Sequence, residues 1–336
     1  MLPGRCVPSG YVRPVLRRLT AVPLLLAGLL ATACAPDTKS EAATPSASSS
    51  SAPSGAASAS PTAAPSATAP PAPLAQLPRG GRSIFPKHLV VAYYGTSGTG
   101  ALGVLGETRP EVAAKRTLKA ALPFQAPSGR PVLPAFELIT TVAAARAGAD
   151  GLYSTSLPLE EVMRYVKVAQ QAKMLVILDF QPGRATFLEQ VKRYEKALLE
   201  PNVGVALDPE WKLTATQRPL KQIGTSAAQP LNDVSSYLAN LTVKNRLPEK
   251  IFMIHQFKTY QLPDRENIVD RPGLATVLHV DGFGGQGAKK ETYGLLNSKD
   301  GQFVNAFKLF YDEDIDLMTP AEAMALTPRP ELITYQ

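Results

Sequence analysis

Cysteine is scarce in this sequence. The 336 residues include two, Cys6 and Cys34. Cys6 lies in an N-terminal segment that we expect to be removed during export. The mature chain therefore cannot form an internal disulfide, and its predicted domain offers no thiol for nucleophilic catalysis or for a zinc–thiolate cluster. The folded part must be held together by its core alone.

The chain also carries little excess charge. Its formal net charge of +7 reflects 35 basic and 28 acidic residues, but four of the basic residues are arginines within the first 18 positions. Without them, 31 basic residues face 28 acidic ones. A near-neutral chain of this kind gives no basis for predicting a nucleic-acid partner.

Long hydrophobic runs are absent apart from one near the N-terminus, at residues 21–33 (AVPLLLAGLLATA). It follows a basic segment and is too short to span a bilayer, as is typical of a signal peptide. The run ends in Ala-Thr-Ala-Cys34, which resembles the lipobox of bacterial lipoproteins, although Ala31 stands where leucine is commoner. The resemblance implies cleavage before Cys34, a lipid with palmitate-like acyl chains on its sulfur, and anchoring at the extracellular face of the cell membrane. The alternative is an ordinary signal peptide cut after Ala33, which leaves Cys34 as a free thiol.

The next segment is rich in Ala, Pro and Ser. Residues 34–81 contain almost no large apolar side chains, so this segment cannot bury enough surface to fold and is predicted to be a disordered linker. The remaining residues, 82–336, are enough for one α/β domain of barrel size. The predicted organisation is therefore a signal peptide over 1–33, a linker and a single domain.

Apolar strand-like runs alternate with helical spacing through this domain. The predicted strands are residues 88–95, 134–142, 151–154, 174–180, 203 to about 209, 251–257, 274–280 and 307–311. Helices are predicted near 110–121, after Pro158, along 187–198, after Thr225 or Ser226, and after Thr319. Eight strands joined by right-handed crossovers predict a closed (β/α)8 TIM-barrel-like fold, with a doubly wound open sheet as the main alternative.

The most informative stretch is VGVALDPEW, residues 203–211. Its apolar half predicts a buried parallel strand that ends near Pro209, because proline cannot donate to a sheet ladder. Alternation along a strand would place Asp208 and Glu210 on the same side. Two carboxylates at the carboxyl end of a barrel strand indicate a working site, since barrel enzymes place their chemistry at that rim.

Polar residues also follow or end other predicted strands. Asp179 and Asp281 directly follow apolar runs, and in both cases a turn-capping role is an alternative to a functional one. Further polar or aromatic candidates at the same rim are Tyr93, Glu137, His255 and Gln256. Together with Asp208 and Glu210, these residues predict an acidic cleft.

Glycosidic cleavage is the chemistry that needs such a cleft. One carboxyl group must donate a proton to the leaving oxygen, and another must remain charged to attack or to stabilise the oxocarbenium ion. Asp208-Pro209-Glu210 resembles the D-x-E strand-end motif of barrel glycoside hydrolases, including lysozyme-like muramidases and chitinases, although the longer acidic run of chitinases is absent. The resemblance implies that Glu210 is the acid and that Asp208 is the nucleophile or charge stabiliser. The strand-end pattern adds Asp179 and Asp281 to the predicted catalytic set. The predicted substrate contacts are Trp211 and Tyr93, stacking on a sugar, with His255, Gln256 and Glu137 at the same rim.

As a whole, the chain resembles uncharacterised exported lipoproteins of high-GC bacteria with a glycoside-hydrolase-like barrel. This likeness implies a cell-surface protein that acts on, or binds, a cell-wall or extracellular carbohydrate. Two alternatives remain open: a non-catalytic carbohydrate-binding or scaffold lipoprotein, and a metal-dependent phosphodiesterase-like hydrolase that uses residues from the set Asp179, Asp208, His255, His279 and Asp281. No cofactor or structural metal is predicted. The Gly-x-Gly-x-x-Gly at residues 98–103 fits a loop over the barrel mouth better than a dinucleotide site, because no clear helix begins directly after it.

Overall fold

The structure, a computed structural model of the 336-residue chain, describes residues 73–336. The predicted signal peptide, Cys34 and most of the predicted linker lie outside the described residues. The strands are β1 (Leu89–Gly95), β2 (Val132–Ala143), β3 (Ser154–Ser156), β4 (Leu175–Phe180), β5 (Val203–Leu207), β6 (Lys250–Gln256), β7 (Leu274–Val280), β8 (Val304–Leu309) and β9 (Leu332–Tyr335).

Eight of these strands form a closed parallel barrel. Their order is β1-β2-β4-β5-β6-β7-β8-β9, and β9 pairs with β1 to close the ring. The short β3 pairs antiparallel with the end of β2 and lies outside the ring. The predicted TIM-barrel-like fold is confirmed.

The identity of one barrel strand was predicted wrongly. The predicted third strand at 151–154 does not join the barrel, because only Ser154–Ser156 is extended there and it runs antiparallel to β2. The ring is completed instead by β9, four residues near the C-terminus that follow a proline-rich stretch. So short a run carries no periodicity by which to recognise it, and its pairing with both β1 and β8 defines it as a strand.

The strand that leads to Asp208 is shorter than predicted. β5 ends at Leu207, and Pro209–Trp211 forms a single turn of 3-10 helix. Asp208 caps this turn, since its Oδ1 accepts a hydrogen bond of 3.1 Å from the backbone N–H of Glu210. The predicted placement of Asp208 and Glu210 on one side of an extended strand is therefore wrong. The proline removes a ladder donor at the point where the turn begins.

Helices cover much of the outside of the barrel. They are α1 (Pro110–Ala121), α2 (Gln125–Ser128), α3 (Leu159–Gln171), α4 (Phe187–Lys192), α5 (Glu195–Leu198), α6 (Ala228–Lys244), α7 (Gln286–Leu296) and α8 (Pro320–Met324). The connection from β6 to β7 contains two 3-10 turns in place of a helix. None of the helices in residues 73–336 is long and apolar enough to cross a membrane.

Side-chain alternation divides the apolar residues into two clusters. Outward residues of the strands, such as Val91 in β1 and Leu178 in β4, pack against the helices. Inward residues, such as Ala92 and Ile177, fill the barrel interior together with Leu77, which lies upstream of the predicted domain start at Arg82. The interior therefore has an apolar floor at the amino ends of the strands.

The barrel wall leaves no room for a side chain at Gly204 of β5. A Cβ atom there would lie 2.7 Å from the backbone oxygen of Ile251 in β6. We expect Gly204→Ala to lower the free energy of unfolding by about 1–3 kcal/mol, because the two strands must move apart. Urea denaturation measures this loss. As a control, Gly294→Ala in α7, where an added Cβ meets nothing within 4 Å, is expected to be neutral or stabilising by up to about 1 kcal/mol. Equal losses in both variants would contradict the prediction.

Candidate active site

Ionisable and polar side chains occupy the inward positions at the carboxyl ends of the barrel strands. On most strands the polar residue follows an apolar inward residue two positions earlier, as Tyr94 follows Ala92 and Asp179 follows Ile177. We call this set the polar layer: Tyr94, Glu137, Asp179, Asp208, His255, His279, Lys308 and Thr334, all of which are buried. The polar layer lies directly above the apolar floor, at the end where barrel enzymes carry their active sites.

His255 connects two carboxylates within and beside this layer. Its Nε2 lies 2.8 Å from Oε1 of Glu137, and its Nδ1 lies 3.2 Å from Oδ2 of Asp281. Nδ1 also lies 3.3 Å from Nδ1 of His279, whose other nitrogen contacts Thr334 Oγ1 at 2.8 Å. Two carboxylate partners require His255 to be the donor at both nitrogens, which makes it a cation. The neutral His279 then accepts at Nδ1 and donates to Thr334.

Lys308 supplies the second buried cation. Its Nζ lies 3.0 Å from Oδ2 of Asp281 and 3.6 Å from the centroid of the Tyr94 ring. The Tyr94 hydroxyl donates to Oδ2 of Asp179 at 3.0 Å and accepts from Nε2 of Gln181 at 3.3 Å. These contacts join strands β1, β4, β7 and β8 into one network through their side chains.

Asp281 is held as a carboxylate. Burial alone would raise its pKa, but Lys308 and the hydrogen bond from His255 outweigh burial and hold the pKa well below its usual range. Burial likewise opposes the charge on His255, yet its bonds to Asp281 and Glu137 raise the pKa of the imidazole well above its ordinary value. Burial and the charge of His255 lower the pKa of His279 to about 3. These directions agree with the protonation states required by the hydrogen bonds.

Three other acids show the opposite shift. Burial raises the pKa of Asp179 to about 6. Burial and the nearby Glu210 raise the pKa of Asp208 well above its ordinary value. Burial and the negative charge of Asp281 raise the pKa of Glu210 to about 7. Burial opposes the charge on Glu137, but the hydrogen bond from His255 and its charge lower the pKa of that carboxyl. The site thus combines two ionised carboxylates, Glu137 and Asp281, with carboxyl groups that retain their protons toward neutral pH.

A cavity of about 600 Å³, which we call the mouth cavity, opens above the polar layer. Its polar lining comprises Tyr94, Gln181, Asp208, Glu210, Asp281, Lys308 and Gln336. Its apolar lining includes Trp211, Phe257, Phe283 and Phe310. Within residues 73–336, the Glu210 carboxyl makes no hydrogen bond or ion pair, so it remains available to a bound molecule. A cavity of this size accommodates a small-molecule ligand.

The structure brings most of the sequence-predicted residues together. Asp208, Glu210, Asp281 and Trp211 line the mouth cavity, while Asp179, Glu137 and His255 lie in or beneath its floor. Two predicted substrate contacts lie elsewhere. Tyr93 points outward, with its hydroxyl 3.3 Å from that of Tyr311. Gln256 also points outward and is bonded to Arg265 and to the backbone of Lys258.

Sequence reasoning missed three members of the polar layer, Tyr94, Lys308 and Thr334, the last of which lies in the unpredicted strand β9. Parity along β1 identifies Tyr94, because Val90 and Ala92 lie inside and Tyr94 shares their face. For Lys308 the signal is a lysine within an apolar strand (NAFKL), two residues after the inward Ala306. A lysine is rarely buried without a partner, and the partner of Lys308 is Asp281.

Glu137, His255 and His279 form a group of three potential metal ligands among the described residues, with ligand atoms within 4.8 Å of one another. The donor set does not fit a metal ion in this arrangement. Both nitrogens of His255 are donors to carboxylates, and a protonated imidazole cannot ligate a cation. The nearby ammonium of Lys308 adds further positive charge.

A comparison with models of known protein families finds no match to this chain, and a comparison with curated proteins also finds none. The TIM-like barrel is therefore what is shown, and the activity must be argued from the site.

The raised pKa of Asp179 predicts a pH-dependent change in stability. Because the folded-state pKa exceeds the ordinary value, the contribution of Asp179 to the free energy of unfolding is fully present below pH 4 and is lost as the pH rises through about 6. Asp179→Asn cannot ionise and can still accept the hydrogen bond from Tyr94. We expect this variant to have a free energy of unfolding about 2–3 kcal/mol higher than that of the wild type at pH 8, and nearly the same at pH 4. Urea denaturation at the two pH values measures the difference. Asp312→Asn, an exposed control, is expected to show no such trend. A constant difference at both pH values would contradict the prediction.

Proposed function

We propose that this protein hydrolyses a glycosidic bond in the mouth cavity, with Glu210 as the general acid. The observation that supports this most directly is the division between two carboxyl groups of the cavity. Among residues 73–336 the Glu210 carboxyl has no hydrogen-bond or ion-pair partner, and its pKa is raised to about 7, while Asp281 is kept ionised by Lys308 and His255. Glycosidases need this division between a proton donor and a charged partner.

Each residue then has a definite task. Glu210 donates its proton to the departing glycosidic oxygen, and Asp281 stabilises the positive charge that develops at the anomeric carbon. A water molecule then bonds to that carbon, and the proton that it releases returns to Glu210. Asp208, whose pKa shift favours the protonated form, holds the Glu210 backbone through its Oδ1. Its second oxygen is available to a sugar hydroxyl. Trp211 offers an apolar surface for the sugar ring.

The same proposal includes the location of the enzyme. The basic leader, the apolar run and Ala-Thr-Ala-Cys34 support an exported lipoprotein, anchored by a lipid on Cys34 at the extracellular face of the cell membrane. The Ala-, Pro- and Ser-rich segment after Cys34 would separate the barrel from the bilayer. The substrate of the anchored enzyme is then a carbohydrate of the cell wall or of the extracellular surroundings.

Turnover on a panel of wall polysaccharides, capsule polysaccharides and nitrophenyl glycosides tests the proposal, with release of reducing sugar or nitrophenol as the measurement. We expect at least one substrate to be cleaved, and cleavage to depend on Glu210. Binding of a glycan without any turnover would contradict the catalytic role and favour a carbohydrate-binding protein. Turnover that is lost with a chelator and restored by a divalent metal would favour the metal-dependent alternative.

A further inference from the structure

The entrance of the mouth cavity is surrounded by exposed apolar side chains. Leu220 is 73% exposed, Ile223 is 37% exposed and Phe283 is 68% exposed, and all three line the cavity. Ile315, which is 74% exposed, is paired through its backbone with Gly284 and Gly285 beside Phe283. We call these four residues the apolar collar. Single exposed apolar residues are ordinary, but several at one opening indicate a binding surface.

The backbone holds the collar residues in place. Leu220 has a φ of +63°, a left-handed conformation that a leucine adopts at a cost. The ring of Phe283 packs edge-on against Phe310, with centroids 5.8 Å apart. Asp314 accepts a hydrogen bond from the Gly284 backbone and forms a buried 3.0 Å ion pair with Lys289. The exposed position of Phe283 is therefore built into a well-connected loop.

The cavity changes character with depth. Tyr94, Asp208 and Lys308 of the polar layer form its floor, and the rest of the lining, which we call the walls, includes Leu102, Ile139, Val142 and Phe257. A fully hydrophilic polysaccharide would find few hydrogen-bond partners along such walls, and its hydroxyl groups would lose water without replacement. A ligand with a sugar at one end and a hydrocarbon chain at the other complements both parts.

We propose that the substrate is an amphiphilic glycoside, in which a sugar occupies the polar floor and an alkyl or acyl chain lies along the apolar walls and collar. This inference rests on the proposed function, because the scissile bond joins the sugar at the floor to the apolar part above it. The chain leaves through the collar, and Glu210 protonates the oxygen at the junction.

Binding of a homologous series measures the contribution of the apolar chain. The probes are methyl, butyl, hexyl and octyl glucoside, used below their micellar concentrations. Trp211 is the single tryptophan of the chain and lines the cavity, so its fluorescence reports occupancy, with calorimetry as a second measurement. We expect affinity to rise by about two- to fourfold per added methylene group. The readout is the slope of the logarithm of affinity against the number of methylene groups. This slope does not depend on which sugar the floor of the cavity prefers.

Variants of the collar locate the effect. The double variant Leu220→Ser, Phe283→Ser is expected to reduce the slope by at least half, whereas Leu295→Ser, a 66% exposed control on α7, retains it. Affinity that is independent of chain length, or a slope unchanged in the collar variant, would overturn the inference. Equal binding of the matching free alcohols would also overturn it, because the sugar would then contribute nothing.

Failure of this inference is distinguishable from failure of the proposed function. Cleavage of glycosides without dependence on chain length leaves Glu210 as the acid and removes the amphiphilic substrate. A steep chain-length dependence without any cleavage supports the amphiphile site and removes the hydrolytic activity.

Discussion

Glu210→Gln is expected to lower kcat for glycosides with alkyl leaving groups by about 10²–10⁴-fold, the range over which a positioned general acid accelerates a reaction. The amide has nearly the same shape, so KM should change little. Glycosides with nitrophenol leaving groups should lose much less, because such leaving groups depart without a proton. Initial rates on both substrate classes measure this difference.

The pH profile tests the same assignment. Only protonated Glu210 can donate, and burial together with Asp281 raises its pKa to about 7. The kcat/KM of the wild type should therefore be constant on the acid side and fall as the pH rises through about 7. Asp281 does not limit the acid side near neutrality, since its pKa lies well below the ordinary value. The residual activity of Glu210→Gln should lack the fall near pH 7.

A matched glutamate outside the site provides the control. Glu291 lies exposed on α7, and Glu291→Gln should keep the wild-type rate and pH profile. Wild-type activity in Glu210→Gln would remove Glu210 from the mechanism. A loss that is equal for alkyl and nitrophenyl glycosides would show that Glu210 serves binding or folding and does not transfer a proton.

The fold was predictable where strands are long and bounded by clear turns. The limits of β7 agree with the prediction at residues 274–280, and those of β1, β4 and β6 agree within one residue at each end. β9 was not predictable, because four residues show no periodicity and acquire their role only by pairing with β1 and β8. Barrel closure is a tertiary property, so local sequence carries little information about the strand that completes it.

The site was predictable to the extent that strand ends can be located. Asp179, Asp208 and Asp281 follow apolar runs and meet at one rim. It was harder to predict which residues of a strand face the barrel interior, since a shift of one residue turns every inward side chain outward. The prediction of Tyr93 differs from the inward residue Tyr94 by one such shift, and the inward Ala92 identifies Tyr94. The opposite pKa shifts of Glu210 and Asp281 were beyond sequence reasoning. Burial and the charge of Asp281 raise the pKa of Glu210, and Lys308 and His255, which reach Asp281 from other strands, lower the pKa of Asp281.

Lys308→Met is expected to lower the free energy of unfolding by about 3 kcal/mol at pH 7. Lys308 is buried, with its Nζ 3.0 Å from Asp281. Its removal leaves that buried carboxylate with a single cationic partner, His255, at 3.2 Å. Breaking a buried ion pair costs about 3–5 kcal/mol, and the remaining imidazolium places this case at the lower end. Urea denaturation followed by circular dichroism gives the difference.

The loss of stability caused by Lys308→Met should become smaller as the pH falls. Lys308 is the main charge that lowers the pKa of Asp281, so its replacement raises that pKa. The stability contributed by a carboxylate with a lowered pKa is present above the ordinary pKa and is lost as the pH falls through the folded-state value. In the variant, Asp281 takes up a proton at higher pH than in the wild type, so the deficit should shrink between pH 7 and pH 4.

A double-mutant cycle separates the charge of Lys308 from its packing against Tyr94. In an Asp281→Asn background the carboxylate is gone, so Lys308→Met should cost much less than in the wild type. An equal cost in both backgrounds would assign the effect to packing alone. That result would also remove the main charge that keeps Asp281 ionised beside Glu210 and leave this role to His255 alone, which would weaken the division of charge on which the proposed hydrolysis depends.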